Sequence, residues 1–443
     1  MNRWNWSRYN FLFDSSKFGK LLYNSFTNSF LRLNDELFKD LNKIANNKLN
    51  SEVCKELFSD EELNYFKDNY FLTQSDESLV EQMHFQSLHR IYDKKHLILT
   101  IAPTQFCNFS CTYCYEKWRT PGRMSDDTAN ALVQYLKDQK RTHGLETICL
   151  TWYGGEPLIE HERIRSLGKQ IKDLDINIIE SDVITNGYLF DEKRIKILAD
   201  LNIDSVQITL DGFKEVHDTR RLLLNGGGTF DKIIDNLDNF YSGEYKDKIS
   251  IALRVNIDKS NKSTYLDIYK WLKERYPSDK FVVYPGWIHL DENDERKCDC
   301  FSRNEATDFC FDLCKNHGIV SEELYPDDIN MECLVRNPNS MIVGWQGEIY
   351  KCYEDLGNEN LIVGNLHIDG VWTNHELIAK YAVGIDHYQD ETCRDCSYLP
   401  ICRGGCPLRR LENKYEGKSN DCCTPFKGRI EEFLELQYER SIQ

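Results

Sequence analysis

The chain reads as an α/β protein: a partial, open (β/α)6 barrel, preceded by a small α+β module and followed by a cysteine-rich region. Three observations predict this. Between His96 and about Gly286, six apolar strand-like runs alternate with amphipathic stretches, the pattern of a parallel sheet with right-handed crossovers. Most of those runs end in a polar or glycine-rich signature. Finally, 12 of the 17 cysteines fall after residue 290, well beyond a triad at Cys107, Cys111 and Cys114. The expected segments are 1–95, 96–290 and 291–443.

With 443 residues, the chain is long enough for two or three domains with substantial cores. Its 41% hydrophobic and 29% charged residues are those of a soluble globular protein. No apolar run approaches a membrane span, and the first residues lack a signal-peptide core, so a cytoplasmic protein with no membrane partner is expected. The net charge of −17 argues against a nucleic-acid partner. In a reducing compartment, so many cysteines point to metal or catalysis rather than disulfides. Cys54 and Cys149 stand alone and read as small buried hydrophobes.

In the first 95 residues, Leu33, Leu37, Leu41 and Ile44 recur at helical spacing. Ser59-Asp60-Glu61-Glu62 is a capping-box pattern that starts a second helix, and Leu63 and Phe66 continue its apolar side. Asn69–Thr73 reads as strand. Such a module is either a packing extension or a peptide-docking element that offers a sheet edge to an extended segment.

The six strands are expected at His96–Ala102, Thr147–Thr151, Asp182–Thr185, Ser205–Thr209, Ile249–Val255 and Lys280–Tyr284. Helices such as Asp126–Gln139, Glu192–Leu201 and Thr229–Phe240 lie between them. The first strand leads into Cys107-x3-Cys111-x2-Cys114. The second is followed by Gly154-Gly155-Glu156-Pro157, the third by Asn186-Gly187 and the fourth by Asp211-Gly212; the fifth ends in Arg254 and Asn256. In a parallel barrel these ends share one face, where active sites assemble; each alone is also compatible with a simple turn. Three thiolates on one short loop hold three corners of an iron–sulfur cubane and leave a fourth iron open. A structural zinc loop is the alternative, but a second close pair of cysteines is missing nearby.

The triad with Tyr113 inside it, followed at a strand end by Gly154-Gly155-Glu156-Pro157, resembles the radical S-adenosylmethionine (SAM) superfamily. The resemblance implies a [4Fe-4S] cluster on Cys107, Cys111 and Cys114 whose open iron binds S-adenosylmethionine, the source of a 5′-deoxyadenosyl radical. It implies that Gly154, Gly155 and Glu156 pass beside the cofactor's amino group and that Tyr113 lies near adenine. Asn186, Asp211, Arg254 and Asn256 stand at strand ends suited to ribose and carboxylate contacts. His217 and Arg220, in DGFKEVHDTRR, resemble a segment of peptide- and sulfatase-maturing members.

After Cys333 come Gly347-x4-Cys352, then Cys393-x2-Cys396-x5-Cys402-x3-Cys406, and finally Cys422-Cys423. This resembles the SPASM extension, which implies two auxiliary [4Fe-4S] clusters. By that pattern Cys333, Cys352 and Cys406 serve the first. Cys393, Cys396, Cys402 and one of Cys422 or Cys423 serve the second. A zinc ribbon is the alternative for Cys393, Cys396, Cys402 and Cys406. Gly404-Gly405 fits a tight turn between ligands. There are two departures. Asp327 stands where a further ligand of the first cluster is expected, with Cys314, Cys310, Cys300 and Cys298 as upstream substitutes. Tyr353 stands where sulfatase maturases carry an Asp base, with Glu354 and Asp355 following.

The resemblance therefore implies a maturase that abstracts hydrogen from a ribosomal precursor peptide and installs a thioether or carbon–carbon crosslink. Its implied partners are the leader-bearing precursor, bound by the N-terminal module, and an electron donor such as flavodoxin or ferredoxin. A formylglycine-forming sulfatase-type maturase and a non-enzymatic iron–sulfur or zinc redox adapter are the alternatives.

Overall fold

In a computed structural model of the protein, residues 4–47, 57–116, 118–289, 299–320, 324–326 and 333–442 are described. Cys54, Cys298 and Asp327, singled out above, lie outside them. The chain divides into two compact units. One comprises Asp93–Ala306 and Pro338–Ile378, the other Met1–Tyr92, Thr307–Asn337 and Ala379–Gln443.

The first unit is built on the predicted alternation. Six parallel strands run in sheet order as they do in sequence: His96–Ile101, Thr147–Trp152, Asn177–Thr185, Ser205–Leu210, Ser250–Ile257 and Phe281–Trp287. An order that never reverses is the winding of a (β/α) barrel, not of a doubly wound sheet. The helices start where side chains satisfy their free amides. Ser125 accepts from Thr128 N and Asp191 from Arg194 N. The first of these ends at Gly144, whose φ of +68° is the left-handed cap glycine favours. Leu99, Trp152, Val183, Ile208 and Leu253 on the strands, and Leu132, Ile164, Ile233 and Leu272 on the helices, are wholly buried. These apolar contacts hold the strand ends in register.

The sheet extends further than the sequence suggests. Ser340–Val343 joins His96–Ile101 as a seventh parallel strand, and Glu348–Tyr350 and Gly364–Asn365 continue antiparallel. Predicted ends shift by one to five residues. The largest shift is in the third strand, which begins at Asn177 rather than Asp182. Cys149, expected in the core, is only half-buried, because Ile148 and Leu150 take the inward positions of its strand.

In the other unit, an antiparallel sheet of Asn10–Ser15, Gly19–Asn24 and Ser29–Leu33 precedes helices Asp35–Asn47, Asp60–Asp68 and Asp76–Ile91. Leu33 ends a strand rather than beginning the helical stripe. Leu41 and Ile44 do lie on the stripe and pack with Leu22, Leu63 and Phe66. The expected strand at Asn69–Thr73 is reduced to Leu72–Thr73, which pairs with Asn5–Trp6. The Ser59 capping box forms as predicted: Glu62 N donates to the serine, and Ser59 N to Glu62.

The second hairpin turns on Asn24, which is wholly buried. Its Oδ1 accepts from Phe26 N at 3.0 Å and Thr27 N at 3.1 Å, an Asx-type turn. Its Nδ2 donates to Asn10 Oδ1 at 2.7 Å and to Tyr70 O at 2.9 Å. Asn24→Ala strands both sets of partners and is expected to destabilise by more than about 2 kcal/mol. Ser59→Ala, at a surface cap, loses about 1 kcal/mol. Urea titrations of the two variants check this ranking; a more damaging Ser59→Ala contradicts it.

Candidate active site

The loop after the first strand is held from two sides. On one side Phe109–Cys111 forms a short antiparallel strand with Arg221–Leu223, placing Cys111 opposite Arg221 and Phe109 opposite Leu223. Thr112 N donates to Arg220 O, and Leu224 N to Asn108 O. On the other side, Gly155 N donates to Thr104 O at 3.3 Å and Glu156 N to Phe106 O at 2.8 Å. A β-carbon on Gly154, whose φ is +105°, would lie 2.3 Å from Thr104 O; one on Gly155 would lie 2.4 Å from Phe106 O. The two glycines therefore let the second strand end press its backbone against the cysteine loop.

Cys107, Cys111 and Cys114 face one cavity of about 150 Å³, together with Tyr113, Gly154, Gly155, Asn186, Arg254 and Asn256. Burial pushes all three thiols up, Cys107 to about 12. Arg119 opposes this at each thiol, and the buried Arg221 does so more strongly at Cys111.

Tyr113 is fixed by three partners. Its hydroxyl donates to Asp211 Oδ1 at 2.6 Å and accepts from Arg221 Nη1 at 3.0 Å and Asn256 Nδ2 at 3.1 Å. Asn186 Nδ2 donates to Asn108 Oδ1 at 2.7 Å and lies 4.0 Å from Cys107 Sγ.

Glu156 and Asp211 stand behind this wall rather than in it. Glu156 is wholly buried; its carboxylate accepts from Leu158 N, Thr185 Oγ1 at 2.7 Å and Asn186 N at 2.8 Å. These hydrogen bonds fix the third strand end, which finishes at Thr185. Asp211, also wholly buried, holds Tyr113 and lies 2.8 Å from Arg220 Nε. Arg220 in turn reaches Asp258 at 3.0 Å.

His217 bonds Asp211 N through Nδ1 and Thr229 Oγ1 through Nε2. Burial and then Arg221 hold it well below the usual imidazole range, so it is a neutral brace. Sequence reasoning picked Arg220 and passed over its neighbour Arg221, as well as Arg119, Gln207 and Thr209, which also line the cavity. The period-two placement of Gln207 with Thr209, matching Arg254 with Asn256, was the available signal.

The residues fit the group that the motif implies. Three thiols converge on a site supplied with cations, suiting a thiolate-bound cluster whose ligands must deprotonate. Among the described residues, Arg254 Nε and Asn256 Oδ1 are buried without a protein partner. One is a donor and one an acceptor, and both belong to residues lining the cavity, as a polar cofactor requires.

In the other unit, Cys393, Cys396, Cys402, Cys422 and Cys423 line a cavity of about 690 Å³ with Arg410 and Lys427. Gly404 and Gly405 make the expected turn, at φ +81° and +68°. Cys333 and Cys406 are exposed and head the short helices Leu334–Arg336 and Pro407–Tyr415, which pack together. Cys352 belongs to the unit that holds the triad, and its N–H donates to Asp355 Oδ2. Beside it, the Tyr353 ring stacks edge-on against Tyr153 at 4.8 Å, and its hydroxyl meets Thr100.

Of the upstream substitutes, Cys310 and Cys314 share the buried face of helix Arg303–His317, and Cys300 is disulfide-bonded. Among the described residues no three His, Cys, Asp or Glu side chains lie close enough together to hold a single metal ion.

A parallel sheet with a three-cysteine loop and a Gly-Gly-Glu-Pro turn at its carboxyl edge is the framework of the radical SAM superfamily, and residues 101–272 match it. The chain is a radical SAM enzyme. Among curated relatives it is similar to a cysteine-type anaerobic sulfatase-maturating enzyme of Clostridium novyi. The two are 26% identical over 373 residues, covering 76% of this chain and 95% of the relative.

Among solved structures, it resembles native anSMEcpe with bound AdoMet and Cp18Cys peptide. The TM-score is 0.56 and the identity 21%, with 78% of this chain and 98% of that one covered. It also resembles Streptococcus suis SuiB bound to precursor peptide SuiA, with a TM-score of 0.51 and 17% identity. There the coverage is 91% of this chain and 95% of the other. At these identities the structures establish a shared fold.

Gly155→Ala drives a methyl into backbone carbonyls that cannot move aside and is expected to abolish cluster loading at the triad. Gly144→Ala, with nothing within 4 Å, strains only its own left-handed backbone and retains loading. Iron content and visible absorption after anaerobic reconstitution distinguish the two; equal loading of both refutes the packing role of Gly155.

Proposed function

We propose that the chain is a radical SAM peptide maturase that abstracts hydrogen from a ribosomal precursor peptide and installs an intramolecular thioether or carbon–carbon crosslink. The single observation that carries this reading is the triad facing one cavity with arginines and unpaired polar atoms. When bound, the cluster and S-adenosylmethionine supply a hydrogen-abstracting radical. The protein's own groups orient and shield it. Tyr113, locked by Asp211, Arg221 and Asn256, offers a fixed aromatic wall for adenine. Asn186, Arg254 and Asn256 offer polar atoms to ribose and the amino-acid part, and Gly154 and Gly155 present bare backbone. Glu156 and Asp211 act through the residues they hold. The mostly apolar sheet beneath keeps water from the reacting centre.

The relatives support a peptide substrate. One similar structure holds a Cys-named peptide and another a precursor peptide. We assign leader recognition to the N-terminal module of residues 1–95. Its Ser29–Leu33 strand is an edge of the three-stranded sheet, the kind of edge that can pair with an extended leader. Residues 96–290 then form the radical domain and 291–443 the SPASM region, with two auxiliary [4Fe-4S] clusters. In the first of these, Cys333, Cys352 and Cys406 are assigned from the sequence pattern. A flavodoxin or ferredoxin supplies the reducing electron.

Formylglycine formation is the second reading, favoured by the name of the Clostridium novyi relative. Tyr353, where a catalytic Asp is expected for that chemistry, weighs against it.

Reconstituted protein with S-adenosylmethionine and reductant is expected to release 5′-deoxyadenosine, and Cys111→Ala to release none. With the precursor peptide, tandem mass spectrometry is expected to show loss of two hydrogens with two residues joined, and a leaderless peptide to react far more slowly. A formylglycine at one residue moves the assignment to the second reading. Absence of 5′-deoxyadenosine under all conditions overturns both.

A further inference from the structure

The adjacent cysteines at 422 and 423 stand in different surroundings. Cys422 is held by neutral groups. Asn413 Nδ2 donates to its sulfur at 3.5 Å, and the sulfur donates to Asn420 O at 3.6 Å. Both partners are neutral amide groups. Asn413 also clamps Asn420, donating to its carbonyl at 2.8 Å and accepting from its N–H at 2.7 Å. The Cys422 backbone is pinned as well: a β-carbon on Gly405 would meet its carbonyl oxygen at 1.6 Å. Its neighbouring sulfurs are Cys406 and Cys423.

Cys423 meets a cation. Lys427 Nζ, four residues on, donates to Cys423 Sγ at 3.3 Å. The same ammonium faces Cys396 and Cys393. Cys402 has Cys423 and Cys393 as sulfur neighbours and takes backbone N–H bonds from Thr424 and Gly404. A second cation stands at Cys393, where Arg410 Nη1 donates to Sγ at 3.3 Å. Asp390 holds that guanidinium at 2.9 Å and accepts from Cys393 N at 3.2 Å. Arg410 also lies near Cys422, but its remaining donor contact is to Ile385 O at 3.3 Å.

We propose that the pair is divided: Cys423 completes the ligand set of Cys393, Cys396 and Cys402, Cys422 is held outside it by Asn413 and Asn420, and Arg410 and Lys427 are its positioning cations. This rests on reading the cavity as an auxiliary iron–sulfur site. Four thiolates around a cubane leave net negative charge, and reduction adds one unit more. Donors and cations on the ligand sulfurs stabilise the reduced form preferentially and raise the potential. With a guanidinium on one ligand and an ammonium on another, this site is built to accept an electron. Its source is the one-electron oxidation of the substrate radical, whose proton leaves to solvent or a base as the crosslink closes.

The test uses the full chain, reconstituted anaerobically. Cys423→Ala is expected to lose or alter one auxiliary signal in the electron paramagnetic resonance spectrum, with a matching loss of iron, while Cys422→Ala keeps both. Lys427→Met and Arg410→Gln are expected to lower the midpoint potential of that signal. A tenfold shift in its reduction equilibrium, about 59 mV for one electron, is the scale to look for. Retention of the triad's own signal in every variant controls for folding.

The reverse pattern between the two cysteine variants, loss in both or loss in neither overturns the division. Unchanged potentials in both cation variants overturn the positioning role. Wild-type protein that loads only one cluster's iron, about four atoms, instead refutes the auxiliary-site reading itself.

Discussion

Three half-buried thiols that must ionise together set the demand on the carboxyl edge of this sheet. Burial alone opposes the charged form at each of them. The fold answers with Arg221 and Arg119, and Arg221 is placed by backbone pairing rather than by side-chain reach. It sits opposite Cys111 because Arg221–Leu223 is the partner strand of the cysteine loop. That pairing requires the preceding turn to be rigid. Asp211, His217 and Thr229 supply the rigidity: His217 bridges Asp211 N and Thr229 Oγ1, and Thr229 Oγ1 donates to Arg221 O at 2.6 Å. Asp211 and His217 are thus the support of a cation, one layer removed from the cavity.

The same layering explains what the sequence made legible. Alternation of apolar runs revealed six strands and their order, because each run is local and its helix follows directly. The triad, Gly154 and Gly155 were visible as motifs, and the structure gives the glycines a packing reason. Glu156 and Asp211 were visible too, yet their carboxylates turn away from the cavity, and no spacing rule reports orientation. The seventh strand, Ser340–Val343, is a four-residue run whose partner lies more than 200 residues earlier; nothing local marks such a pairing. The N-terminal hairpins were less excusable. Phe11–Phe13, Leu21–Tyr23 and Phe30–Leu31 are apolar runs split by turn-forming Asp, Ser, Gly and Asn, a short-strand pattern masked by the stronger helical stripe that follows.

The two cysteine-lined cavities answer one electrostatic problem by different means. At the triad the chief cation is a buried arginine on a strand, shared with Tyr113. A planar guanidinium with several fixed donors suits a place where orientation of a neighbouring aromatic matters as much as charge. Around Cys393 and Cys423 one cation is again an arginine, locked by Asp390, but the other is Lys427, a point charge on a flexible stem.

That contrast follows from what each site must do. A site that binds a reacting cofactor needs its walls fixed to fractions of an ångström, since misplaced reactants lose the advantage of proximity. On the proposed reading of the second cavity, a site that takes up an electron needs charge compensation more than aim, and an ammonium on a flexible stem suits that need. The division of Cys422 from Cys423 belongs to the same logic. In the proposed site, a fifth sulfur on the cluster would add negative charge where two cations offset it, and Asn413 and Asn420 hold the Cys422 sulfur apart from those cations' hydrogen bonds.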